Sequence, residues 1–74
     1  PVEENLQVVV QSNAPGLVVV QLFDASGRQI HQLGSGKAVR RHEQVIGMGS
    51  LSAGTYLLRA DVAGRVLTEK VVKK

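Results

Sequence analysis

Leu6, Val8 and Val10 alternate with Gln7 and Gln11, the period-two pattern of a strand with one wet face. It predicts a first strand from Leu6 to Gln11. Asn13-Ala14-Pro15-Gly16 follows, with proline and glycine placed as in the centre of a type II turn, so the chain is expected to reverse there. Leu17 to Phe23 is apolar at both parities, as in a central strand covered on both faces. Asp24-Ala25-Ser26-Gly27 supplies an acceptor side chain and a glycine suited to positive φ, predicting a hairpin into a strand from Arg28 to Leu33. Beyond the glycine-bearing, flexible loop Gly34-Ser35-Gly36-Lys37, alternation is weaker from Val39 to Met48, and Arg40, Arg41, His42 and Glu43 crowd one end. Such charges blunt an edge strand against aggregation.

Leu51-Ser52-Ala53-Gly54-Thr55-Tyr56 delivers the chain into the clearest strand, with Tyr56, Leu58, Ala60 and Val62 on one face and Thr55, Arg59 and Asp61 on the other. Ala63-Gly64 is a short reversal, and Arg65 to Lys73 is its partner strand. The register of that strand is ambiguous, because Val66 and Val72 share one parity and Leu67 and Val71 the other. A bulge near Thr68 to Lys70 would let both pairs be buried. No stretch sustains a helical period. About six or seven short strands with turns at this spacing predict an all-β fold, a small immunoglobulin-like antiparallel β-sandwich.

Composition narrows the reading. A chain of 74 residues is one small unit, and without cysteine its stability must come from an aliphatic core rather than disulfides or a thiolate metal site. The stretch from Asn5 to Phe23 carries no charge, but glutamine, serine, asparagine, proline and glycine interrupt it, which argues against a transmembrane helix. Pro1 stands first, and Glu3 and Glu4 sit where a secretory signal would be positive. The segment 1–74 therefore reads as one domain cut from a larger protein. A net charge of +3 allows an acidic partner, yet Phe23 and Tyr56 are the only aromatics, too few for a base-stacking surface, and nucleic-acid binding is not expected.

Catalytic patterns fail on spacing. Ser50, His42 and Asp61 supply the residue types of a triad, but neither Gly34-Ser35-Gly36 nor Gly49-Ser50-Leu51 forms a nucleophile elbow. Gly36-Lys37 resembles the end of a phosphate loop, but His31 occupies the first glycine position and Ala38 replaces the hydroxyl residue. His31 and His42 lie on different predicted strands with no further ligand in spacing, so both are expected to face solvent rather than bind metal. Arg40-Arg41-His42 reads as a solvated face. Tyr56, two residues after Gly54, fits a tyrosine corner, with its ring in the core and its hydroxyl bonded to the preceding turn. The expectation is a domain with no catalytic residue, metal, cofactor or small-molecule substrate.

Three segments in this order, and the end of the chain after them, resemble the type A C-terminal sorting domain of the bacterial type IX secretion system. Pro1-Val2-Glu3-Glu4-Asn5-Leu6-Gln7-Val8 is similar to the family's proline-led first strand. Val20 to Arg28, carrying Asp24, Gly27 and Arg28, resembles its Asp-x-x-Gly-Arg hairpin. Leu51 to Arg59, carrying Leu51, Gly54 and Tyr56, resembles its Leu-x-x-Gly-x-Tyr turn and strand. Lys70-Val71-Val72-Lys73-Lys74 is similar to the lysine-rich closing strand. The basic run from Lys37 to His42 departs from the pattern.

The resemblance implies a signal appended to a large cargo protein, exported to the periplasm and recognised by the outer-membrane translocon. It also implies removal by a surface sortase, with the cargo secreted or anchored at the cell surface. Lys70, Val71, Val72, Lys73 and Lys74 are the expected recognition residues. The alternative is an immunoglobulin-like spacer or adhesion module, which the same strand pattern would produce.

Overall fold

Valine-rich, alternating segments punctuated by glycine turns leave the chain few choices other than antiparallel strands. The computed structural model describes residues 4–74, so the expectation for Pro1 to Glu3 falls outside the described residues. Among those described there are six strands and no helix: β1 (Asn5–Gly16), β2 (Val18–Phe23), β3 (Gln29–Gly34), β4 (Val39–Gly47), β5 (Gly54–Val62) and β6 (Arg65–Lys73). β1 and β4 form a two-stranded sheet, and the other four lie in the order β3-β2-β5-β6, with every pairing antiparallel.

The inner faces meet in one apolar cluster. Val8 and Val10 of β1 and Ile46 of β4 join Val18, Val20 and Leu22 of β2, Tyr56, Leu58, Ala60 and Val62 of β5, and Val71 of β6. Met48, just past β4, is fully enclosed in the same cluster. Its backbone N–H donates to the Glu4 carbonyl at 2.6 Å, so the β1–β4 ladder carries this side chain to the bottom of the core. The result is a sandwich of two strands over four, with β2 and β5 central in the larger sheet.

Three of the turns form where the residues demand them. At Asp24–Gly27, Asp24 Oδ1 accepts from the Ser26 N–H, the Ser26 hydroxyl and the Arg28 N–H, while Gly27 takes φ +90°. At Ala63-Gly64 both residues have positive φ, +50° and +78°, the primed geometry that matches strand twist in a tight hairpin. The loop at Gly34–Lys37 is tied rather than free. Ser35 Oγ accepts from the Val18 N–H and donates to the Lys37 carbonyl, and the Ser35 N–H donates to the Val18 carbonyl.

Four expectations are corrected. First, the chain does not reverse at Asn13–Gly16. β1 continues through Gly16, with a register shift between Gln11 and Gly16, and Leu17 links it to a strand of the other sheet. Gly16 is not among the positive-φ residues that a type II turn requires. Its glycine serves close approach instead, since a Cβ there would fall 2.9 Å from both the Cβ and the backbone N of Ala63. Second, β2 is covered on one face only. Val18, Val20 and Leu22 are buried, whereas Val19 and Phe23 are half-buried and Leu17 is 62% exposed, because among the described residues no layer packs on the outer side of the four-stranded sheet.

Third, β6 has no bulge. It pairs with β5 residue by residue from Val62↔Arg65 to Gly54↔Lys73, a register pinned by the tight Ala63-Gly64 turn. Val71 is buried, while Val66, Leu67 and Val72 remain substantially exposed. Fourth, the histidines turn inward. His31 lies opposite Leu22 and His42 opposite Val10, so each stands on an inner face, and both are half-buried. His42 Nε2 donates to Gln44 Oε1 at 2.7 Å.

Candidate functional site

The strand registers bring sequence-distant motifs to one end of the sandwich. Phe23 pairs with Leu57 and Leu57 with Lys70, so the last residue of β2, the start of β5 and the end of β6 are level with one another. Beyond that row, Asp24, Gly27 and Arg28 form the β2–β3 hairpin, while Leu51 and Gly54 lead into Tyr56. Lys70 to Lys73 run beside Leu57 to Gly54. A depression of about 470 Å³ is lined from both sides by the hairpin (Asp24, Ser26, Arg28) and by the turn from Ser50 to Tyr56.

Each motif residue has a physical task there. Asp24 gathers the hairpin donors described above, and its second oxygen is 3.2 Å from Arg28 Nε. The Ser26 hydroxyl first, then the Arg28 N–H and the remaining contacts, hold the Asp24 carboxyl below its ordinary value by favouring the charged form. Tyr56 is buried, and its hydroxyl donates to the Ser52 carbonyl at 2.6 Å, which closes the tyrosine corner. Gly54 sits at φ +153° with open space where a Cβ would go, so backbone conformation rather than crowding asks for glycine. Leu51 is half-buried against the core, and its N–H donates to the Met48 carbonyl.

The terminal residues divide by face. Val71 points into the core opposite Tyr56, whereas Lys70 and Val72 lie on the outer face opposite Leu57 and Thr55. Lys73 is half-buried and Lys74 exposed, and Lys73 Nζ donates to the Lys74 carbonyl at 3.0 Å. Sequence reasoning did not single out the outer face of β5 beside them. There Phe23, Leu57, Val66, Arg59 and Lys70 line an open depression of about 640 Å³. The buried Arg59 Nε has no hydrogen-bond partner among the described residues. The signal was legible as the second parity of β2 and β5, which is apolar in places but reads as a wet face.

The triad types are not assembled. Asp61 alternates with buried Ala60 and Val62 and so faces outward on β5, while His42 faces inward on β4. Among the described residues no group of three or more His, Cys, Asp or Glu is placed to hold a metal ion. Arg40 and Arg41 are exposed, and Arg41 pairs with Glu43 on the outer face of the two-stranded sheet.

The family model described as the secretion system C-terminal sorting domain matches residues 1–74. No curated protein and no solved structure matches the chain.

Proposed function

The chain belongs to the family of C-terminal sorting domains of the type IX secretion system, and from that premise we propose that it is the non-catalytic, C-terminal signal of a larger cargo protein. A sorting signal of this family directs its cargo across the outer membrane, to the cell surface or into the medium. In the reading proposed here, the cargo reaches the periplasm first, and the folded domain is recognised there by the outer-membrane translocon. A surface sortase then removes it. Lys70, Val71, Val72, Lys73 and Lys74 are the proposed recognition residues.

One observation carries the assignment to those residues: they share an end of the sandwich with the Asp24–Arg28 hairpin and the Leu51–Tyr56 turn. Val71 anchors the strand in the core, while Lys70 and Val72 remain exposed on an edge strand with free backbone on one side, and Lys74 is exposed just past its end. A receptor can therefore pair with the strand or hold its basic tail without unfolding the domain.

The test is a fusion of residues 1–74 to an inert periplasmic reporter in a type IX-competent cell. The intact domain is expected to carry the reporter to the surface, and removal of Val72 to Lys74 to strand it in the periplasm with the domain still folded. Equal export of both fusions would remove the tail from the signal. Export of neither would favour a spacer module.

A further inference from the structure

We propose that Arg40, Arg41 and Arg65 form a binding site for a phosphomonoester group, at the end of the sandwich opposite the proposed recognition tail. The inference goes beyond the sorting role and does not depend on it. The three arginines come from strands of different sheets, β4 and β6, and line one depression of about 380 Å³ together with Gln11, Ser12 and Asn13. Arg40 and Arg41 belong to the basic run that departs from the family pattern, and Arg65 is the residue that the fold adds to it.

Backbone geometry makes the convergence. Gln11 pairs with Arg41 and Gly16 with Val39, so the segment from Ser12 to Pro15 stands against Arg40 alone. Such a bulge bends its strand out of the ladder. The Ser12 Oγ accepts from the Ala14 N–H at 3.3 Å, which folds the bulged segment on itself. At the end of the bulge Gly16 packs on Ala63 with no room for a Cβ. Ala63-Gly64 is the turn into β6, so this contact sets Arg65, the first residue of that strand, beside the bulge and the start of β4.

Protection of an edge strand calls for charge on that strand, and it does not account for an arginine of the other sheet at the same depression. Like charges gathered in one place repel unless an anion sits among them. Among the described residues Arg40 and Arg65 have no carboxylate partner, and Arg41 alone is paired, with Glu43. Asp61 stands opposite Val66 on the outer face of β5 and does not line the depression.

Charge and shape select the ligand. Three arginines beside one carboxylate, that of Glu43, leave about two positive charges to be neutralised. A phosphodiester or a carboxylate brings one negative charge, whereas a phosphomonoester carries roughly −1.5 to −2 at neutral pH and presents three acceptor oxygens. The planar guanidinium fork matches such oxygens two at a time. Further donors lie on the rim. The Ser12 hydroxyl hydrogen is left free by the bond that its oxygen accepts, and the side-chain amides of Gln11 and Asn13 are exposed.

The test is a titration of isotope-labelled residues 1–74 with methyl phosphate, dimethyl phosphate and acetate at low salt, where exposed charges are least screened. Methyl phosphate is expected to shift the amides of Gln11 to Asn13, Arg40, Arg41 and Arg65, and to bind roughly fivefold more tightly than either monoanion. Arg40→Ala and Arg65→Ala should each weaken it by roughly fivefold while the amide spectrum stays dispersed. Lys37→Ala, which removes a charge from the same basic run but lies outside the depression, should cost less than about twofold. Sedimentation with phosphatidylcholine vesicles carrying phosphatidic acid separates the sources of the group. Retention that Arg65→Ala abolishes assigns a lipid headgroup, and methyl phosphate binding without retention assigns a soluble phosphomonoester. Equal affinity for the three anions, shifts centred on Lys73 and Lys74, or binding of none would overturn the proposal. So would a Lys37→Ala loss as large as that of Arg40→Ala, which would mean that net charge rather than a built site attracts the anion.

Discussion

Asp24 organises its hairpin by accepting from three donors through one oxygen. Those bonds favour the carboxylate and depress its folded-state pKa, with the Ser26 hydroxyl the largest cause. A group depressed on folding contributes its stability in full above its unfolded value and loses it as pH falls through the folded value. Asp24→Asn should therefore melt below the wild type at neutral pH, and the gap should close on acidification through the carboxylate range. A gap that is constant with pH would show that the hairpin does not depend on the charge. Tyr56 separates two contributions of a different kind. Tyr56→Phe removes only the bond to the Ser52 carbonyl, a loss of about 1 kcal/mol, which lowers the melting temperature by roughly 4–8 °C in a domain of this size. Tyr56→Ala also removes the buried ring, a cost of roughly 3–5 kcal/mol. Melting curves in which the two variants coincide would place the ring outside the core.

At the scale of elements, tight turns fix registers that side-chain patterns leave open. The pattern Val66, Leu67, Val71, Val72 allows either parity to face inward, and the hairpin at Ala63-Gly64 decides for Leu67 and Val71 because it sets Val62 opposite Arg65. β5, the Asp24–Gly27 hairpin and the tyrosine corner were legible in the sequence, since each depends on residues a few positions apart. Gly16 was not, because its reason lies in Ala63 across the sandwich, and Pro15-Gly16 imitates the local signature of a turn. The inward histidines were missed likewise. Polarity suggests solvent, whereas register with Leu22 and Val10 places them on inner faces. The motif residues could be picked from the sequence, but their gathering at one end follows only from the β2–β5–β6 registers. Gly16→Val should accordingly be costly through contact with the Ala63 backbone, at 2.9 Å from the first added carbon. Gly49→Val, with no atom near enough to meet a Cβ, should stay close to wild type. Equal melting temperatures for the pair would mean that β1 and the β5–β6 turn do not pack as closely as described.

Across the whole molecule, neither sheet can bury its inner face alone. A two-stranded ribbon is marginal in water by itself, and β1 and β4 depend on the larger sheet to enclose Val8, Val10 and Ile46. Met48 couples the two layers. It follows β4, hydrogen-bonds through its backbone to Glu4 and Leu51, and is fully buried among residues of both sheets. Met48→Ala should cost roughly 2–5 kcal/mol, a large share of the 5–15 kcal/mol that typically stabilises a folded domain. Because the lost contacts belong to both sheets, the variant should not shed β1 and β4 while retaining the other four strands. Amide exchange gives the decisive measurement. Under destabilising conditions, protection at Val8 and Ile46 and protection at Leu22 and Leu58 should fall together, with one midpoint in denaturant for wild type and a single lower one for Met48→Ala. Earlier loss at Val8 and Ile46, with Leu22 and Leu58 still protected, would show the two-stranded sheet to be a detachable layer rather than half of one cooperative core.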